Sequence, residues 1–99
     1  MNIQLFQHSS NGMLWSREKA SDLRKNLITS LSLPSNTIIL DFKDVNPSHS
    51  FMDELIGILV LEQGIEILKK ISILNMQESD KIILKNIIAS RMNDKMLHT

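Results

Sequence analysis

Two serines stand where a loop meets a predicted helix, and their hydroxyl groups are the first candidates for chemistry in this sequence. Ser48 and Ser50 directly precede a helix predicted over about residues 51–63. A phosphate on either serine would meet unpaired backbone N–H groups and the positive end of the helix dipole. Asp53 and Glu54 lie within one turn, and their negative charges would offset part of that gain. Either serine could instead act only as the helix N-cap, a role worth about 1 kcal/mol.

Potential ligands for a divalent cation occur in the same stretch. They are Asp41, Asp44, His49 and Asp53. Carboxylates and imidazole suit such ions, but this spacing matches no ligand signature, and solvated loop polarity explains it equally well. The histidines, His8, His49 and His98, lie far apart, and none has an evident serine and acid partner. We therefore expect no metal, no cofactor and no catalytic residue, with a small hydrolase or metal enzyme as a residual alternative.

The C-terminal part of the chain carries a surplus of positive charge. From Lys69 onward there are six basic and three acidic residues, against five basic and eight acidic before it. The basic side chains are Lys69, Lys70, Lys81, Lys85, Arg91 and Lys95. Interleaved aromatic residues or a recognition-helix motif would favour nucleic-acid binding, and neither is present. A small nucleic-acid-binding regulator using this basic helix is the alternative function, and a solvated helix face is the simpler interpretation.

The first half of the chain predicts two edge strands, a helix and a central strand. Residues 3–6 favour a strand, and residues 13–15 favour a brief return strand after the Ser-Ser-Asn-Gly turn. Ser16 can cap a helix whose apolar residues recur at helical spacing as far as Leu31. Residues 37–42 are β-branched and apolar on both faces, which is typical of a central strand covered on both sides.

The second half predicts two helices and one further strand. Gly64 is a plausible end for the helix at 51–63, residues 69–75 favour a strand, and residues 78 to about 95 form a C-terminal helix. Residues 94–99 are expected to fray. The order β(β)αβαβα predicts one α/β domain over residues 1–99, with an open four- to five-stranded mixed sheet and about three helices.

Composition limits the class of protein. The 99 residues, 42% of them hydrophobic, suffice for one core. Eleven basic and eleven acidic residues balance, so no broad cationic field draws the chain to nucleic acid. There is no cysteine, the first residues lack a signal-peptide pattern, and the apolar run at 55–61 is too short to cross a bilayer. We expect a cytoplasmic protein without a membrane anchor.

Three segments of the sequence resemble the family of STAS-like domains of unknown function. Residues 40–42 (LDF) and 50–55 (SFMDEL) are similar to that family's strand end, short loop and S-F-x-D-E helix start. Residues 16–20 (SREKA) resemble the opening of its first helix. Together with residues 71–75, the similarity covers roughly residues 13–90.

The resemblance implies a non-enzymatic signalling module that binds a protein partner through the loop and helix at 44–57. The residues expected to contact the partner are Asp44, His49, Phe51, Asp53, Glu54 and Gly57. A homodimer through an edge strand stays open.

The same unit is similar, more distantly, to the STAS domains of bacterial anti-sigma factor antagonists. In those proteins a partner kinase that binds ATP phosphorylates a serine at this helix start. The resemblance therefore implies a histidine-kinase-like partner that binds ATP, and it makes Ser48 and Ser50 the phosphorylation candidates. The antagonists' Asp-Ser-[Ser/Thr]-Gly pattern is replaced here by SHSF at residues 48–51.

Overall fold

Strands and helices alternate along the computed structural model, which describes residues 1–97 and their side chains as far as Asp94. The strands are β1 (Asn2–Gln4), β2 (Met13–Leu14), β3 (Ile38–Asp41), β4 (Asn46–Pro47) and β5 (Ile71–Leu74). The α-helices are α1 (Arg17–Leu31), α2 (His49–Met52), α3 (Ile58–Gln63) and α4 (Glu78–Leu97). A π-helical turn, Asp53–Gly57, joins α2 to α3, and we call residues 49–63 the central helix. Short 3-10 turns, Leu5–His8 and Ile65–Lys70, follow β1 and precede β5. The predicted fraying concerns residues 94–99, of which 98 and 99 lie outside the described residues.

The strands form two small parallel sheets, and the prediction of one mixed sheet of four to five strands is wrong. The main sheet has the order β1-β3-β5, and β2 pairs with β4 in a separate sheet. β2 is therefore not the return strand of a hairpin with β1, because the 3-10 turn at Leu5–His8 redirects the chain first. The central position predicted for residues 37–42 is confirmed by β3, which pairs with β1 and β5.

The main sheet is covered on one face only, whereas the sequence predicted cover on both. Ile38 and Leu40 of β3 are buried under the helices, while Ile39 and Asp41 on the other face are half-buried. Right-handed crossovers that step in one direction along a parallel sheet leave their helices on the same side. The strand order β1-β3-β5 therefore accounts for the open second face, which carries mostly polar side chains from β1 and β5.

The central helix fills the middle of the core. Its buried apolar side chains form two rows with four-residue spacing: Phe51, Leu55 and Leu59, and Met52, Ile56 and Val60. An α-helix turns by about 100° per residue, so residues four apart drift by about 40° around the axis. The wider π turn in the middle of the helix reduces this drift, and both rows stay directed inward.

Phe51, which the sequence analysis assigned to the partner surface, provides a direct test of this packing. Its side chain is 0% exposed, and we expect Phe51→Ala to lower the free energy of unfolding by about 3–5 kcal/mol. Urea denaturation followed by circular dichroism measures the change. The matched control is Phe6→Ala, since Phe6 is 49% exposed. Equal losses for the two variants would contradict the placement of Phe51 in the core.

Candidate functional site

The small sheet fixes the point at which the central helix begins. The Asn46 N–H donates to the Gly12 carbonyl at 2.7 Å, and the Ser48 N–H donates to the Leu14 carbonyl at 2.9 Å. The Ser48 hydroxyl oxygen accepts a hydrogen bond from the Phe51 N–H at 3.0 Å, so Ser48 is the N-cap. Of the two serines, Ser48 therefore performs the capping role that the sequence left open between them.

The first turn of the central helix presents two polar side chains to solvent. His49 is exposed and Ser50 is half-buried. Within the part of the chain that the structure describes, the Ser50 hydroxyl has no hydrogen-bond partner, in contrast to that of Ser48. Ser50 is thus the serine at this site whose oxygen is available for chemistry.

Asp53 lies one turn further on and is held by two arginines. Arg91 of α4 donates from Nε to Oδ1 at 2.8 Å and from Nη2 to Oδ2 at 2.7 Å, which is a bidentate pair. Arg17 Nη1 lies 3.5 Å from Oδ2. The bonds from Arg91 lower the pKa of the Asp53 carboxyl below its ordinary value of 3.8, and burial offsets part of this effect. The same bonds raise the pKa of the Arg91 guanidinium. Asp53 therefore stays ionised although its residue is only 8% exposed.

Glu54 is held from the other side by Arg24, a buried residue of α1. Arg24 Nη1 donates to Glu54 Oε2 at 2.6 Å and also to the backbone carbonyl of Glu54. Its Nε lies 3.3 Å from Glu62 Oε1, but the N–H is not aimed well enough for a hydrogen bond. The π turn, in which the Ile58 N–H reaches back five residues to the Asp53 carbonyl, is thus clamped by α1.

Gly57 allows α4 to approach the π turn. A Cβ atom at this position would lie 2.5 Å from Asp53 Oδ1 and 2.8 Å from Ile87 Cγ2, far inside normal contact. The absence of a side chain therefore lets α4 pack closely enough for Arg91 to reach Asp53.

The structure divides the residues that were expected to contact a partner. Phe51, Asp53 and Gly57 are buried, so the prediction that these three form part of an exposed contact face is corrected. The physical reason is that residues 51–57 run between α1 and α4. Asp44 and His49 are exposed and Glu54 is half-buried, and their contact with a partner stays a prediction.

A groove lies between the start of the central helix and α4. Its volume is about 340 Å³, and its walls include His49, Asp53, Asn86, Ser90 and Arg91. All of its lining residues except Ile87 are polar or charged. The sequence missed this groove because α4 was predicted without a position relative to the central helix.

The other candidate groups do not converge on one site. Asp41 lies at the carboxyl end of β3, where the Asn75 side chain and the Lys43 N–H donate to its carboxylate and lower its pKa. Asp44 occupies a left-handed conformation with φ of 61° in the next turn. Within the described residues, no group of three or more histidine or carboxylate side chains could hold a metal ion.

The basic residues of the C-terminal part are mostly engaged within the chain. Lys69 pairs with Glu66, Lys81 pairs with Glu78, and Lys70 donates to the Leu31 carbonyl. Arg91 is bound to Asp53 and Asp94. The ion pairs neutralise part of the positive charge on which the nucleic-acid alternative depended. The side chain of Lys95 lies outside the described residues.

The strands and the helices packed on them define a small α/β domain. Residues 19–81 match the sequence model of the STAS-like domain of unknown function (DUF4325), and the chain belongs to this family. No curated protein and no solved structure matches the chain. Within residues 1–97, none of the helices is long and apolar enough to span a bilayer.

The ion pair between Asp53 and Arg91 predicts a pH dependence of stability. Asp53→Asn removes the charge, and we expect a loss of about 1.5–3 kcal/mol at pH 7, the range for hydrogen bonds to charged groups. In the native chain this stabilisation is present above pH 3.8 and is lost as the pH falls through the lower pKa of folded Asp53. The stability difference between the two proteins should therefore shrink on acidification, as measured by urea denaturation at a series of pH values.

The exposed Asp22 of α1 offers the matched control, Asp22→Asn. This variant should differ little from the native chain at any pH. A pH-independent gap between native chain and Asp53→Asn would contradict the proposed role of the carboxylate charge.

Proposed function

We propose that the chain is a non-enzymatic protein-interaction module that binds its partner through the exposed first turn of the central helix and the loop before it. Asp44, His49 and the outer part of Glu54 are the contact residues. The observation that carries the proposal is the solvent-facing helix start. Backbone hydrogen bonds to β2 hold its first residues, and arginines from α1 and α4 hold the π turn that follows. A surface ordered before binding loses little conformational entropy when a partner docks.

Ser50 is the proposed regulatory site, and Ser48 is the lesser candidate. The Ser48 oxygen already caps the helix, whereas the Ser50 oxygen is not engaged in the described part of the chain. A phosphate on Ser50 would add about −1.5 to −2 charges at the positive end of the helix. It would alter the charge of the docking surface without removing the cap.

Arginines from α1 and α4 reduce the repulsion that Asp53 and Glu54 would exert on such a phosphate. Asp53 is bound by Arg91 and Glu54 by Arg24, so neither carboxylate presents an uncompensated charge to the first turn. Arg17 is half-exposed and makes only long contacts, at 3.5 Å to Asp53 and 4.0 Å to Glu54. This side chain has the freedom to move towards a phosphate.

The proposed partner is a histidine-kinase-like protein that binds ATP. The support for it is the distant resemblance to the anti-sigma factor antagonists, whose partner kinases modify a serine at the corresponding helix start. The docking of such a partner on residues 44–50 would bring Ser50 to its ATP site.

A capture experiment with the full chain tests the proposal. The tagged native chain should retain an ATP-binding kinase-like protein from cells of the source organism, identified by mass spectrometry. The variants His49→Ala and Ser50→Asp should reduce that recovery about tenfold, which corresponds to about 1.4 kcal/mol of binding free energy. Incubation of the captured complex with ATP should place phosphate on the peptide that contains Ser50.

The chain offers a matched control for the charge introduced at Ser50. Ser79 is exposed and is the second residue of α4, as Ser50 is the second residue of α2. Ser79→Asp should leave recovery unchanged. The same recovery from native chain, His49→Ala and Ser50→Asp, with all variants folded by circular dichroism, would overturn the proposed surface.

A further inference from the structure

An apolar slot lies beside the start of the central helix, and we call it the Trp15 slot. Its floor is formed by buried Leu14 and Phe51, its walls by Met13 and Trp15, and its rim carries His8 and Lys19. Trp15 is 61% exposed, which is unusual for so large an apolar side chain. The slot is not accounted for by the surface proposed above.

The size of the slot indicates the kind of group that fits it. Its volume is about 190 Å³. Sites for drug-sized molecules and cofactors begin at about 300 Å³, so a single apolar side chain of a larger molecule is the better match. The backbone N–H and C=O of Trp15 have no hydrogen-bond partner among residues 1–97 and could bond to the main chain that carries this side chain.

The charge at the rim indicates the chemistry of the partner. Lys19 is the one formally charged residue of the lining, and it forms no ion pair within the described residues. A lysine at the rim, with no carboxylate in the lining, complements an acidic segment. Exposed tryptophan in a pocket is typical of residues that dominate the energy of protein interfaces.

The slot is continuous with the proposed docking surface. The Leu14 carbonyl, directly before Trp15, accepts the hydrogen bond from the Ser48 N–H. One partner could therefore contact His49 and the slot together.

We infer that the Trp15 slot binds an apolar side chain of an acidic partner segment, with a carboxylate of that segment next to Lys19. The inference rests on the proposed function, because it supplies the second contact of the same docking surface. It assigns to the partner a short sequence of one large apolar residue with aspartate or glutamate nearby.

A random twelve-residue peptide display library, selected on the full native chain, tests the inference. The enriched peptides should share one large apolar residue with an acidic residue close to it. The chain has one tryptophan, so its fluorescence reports binding of the synthetic peptides directly. Occupation of the slot should shift the emission to shorter wavelength.

Charge reversal at the rim gives the decisive comparison. Lys19→Glu should raise the Kd of the selected peptides by about tenfold or more, whereas Lys25→Glu, an equal change at an exposed position of the same helix, should leave it within about twofold. Peptides without the apolar and acidic pattern, or equal Kd values for the two variants, would overturn the inference.

Two other occupants would also overturn it. If a fifteen-nucleotide oligothymidylate quenches the fluorescence of Trp15, and Lys19→Glu weakens its binding, the slot is a site for single-stranded nucleic acid. A concentration-dependent emission shift together with a dimer in analytical ultracentrifugation would assign it to a second copy of the chain.

The experiments distinguish failure of the slot from failure of the proposed docking surface. If Ser50→Asp abolishes partner capture but Lys19→Glu does not, the docking surface stands and the slot is not part of it. If the selected peptides bind as expected while His49→Ala and Ser50→Asp still capture the partner, the slot stands and the surface around Ser50 is wrong.

Discussion

The bidentate pair between Arg91 and Asp53 ties the last helix to the turn from which the proposed docking surface extends. Its geometry, 2.8 Å and 2.7 Å between paired atoms, depends on the close approach of α4 over Gly57. Removing a charge from water is costly, and the attraction between the partners repays that cost only when the geometry is good. The ion pair therefore depends on the glycine, since a side chain at position 57 would push α4 away and separate Arg91 from Asp53.

A second clamp acts from the opposite side through Arg24. This arginine binds both the carboxylate and the backbone of Glu54, so it fixes the main chain of the π turn as well as a side chain. The two clamps come from α1 and α4, which hold the central helix between them. Replacing a buried ion pair by apolar residues is often neutral for net stability, so we infer that these pairs serve to fix one arrangement of the helix start, which a recognition surface requires.

Much of the fold could be predicted because the sequence pattern is strongest where burial is most complete. Residues 38–40 are three consecutive aliphatic residues, and they lie in the central strand β3. The separate pairing of β2 with β4 was missed because two-residue strands carry almost no periodic signal, and Pro47 lacks the N–H of a normal ladder. The family resemblance identified the correct segment, but it did not reveal which of its residues face inward.

The ion pairs of the π turn left a signal that a different argument could have used. Asp53 and Glu54 together interrupt the apolar stretch at residues 51–56, and Arg24 lies beside Leu23 and Leu27 on the helix stripe that enters the core. Charged residues are rarely buried without an opposite partner, so these two positions predict buried ion pairs. The identity of each partner could not be read from the sequence, because it depends on where α4 crosses the central helix.

The open second face of the main sheet has a practical consequence for measurement. The α-helices lie on the other face, and Ser72 of β5 projects from the open second face as an exposed residue. The chain contains no cysteine, so a single cysteine introduced at Ser72 would accept a fluorophore or a surface linkage at one defined position. Immobilised in this way, the molecule would present its helical side to solution in a uniform orientation.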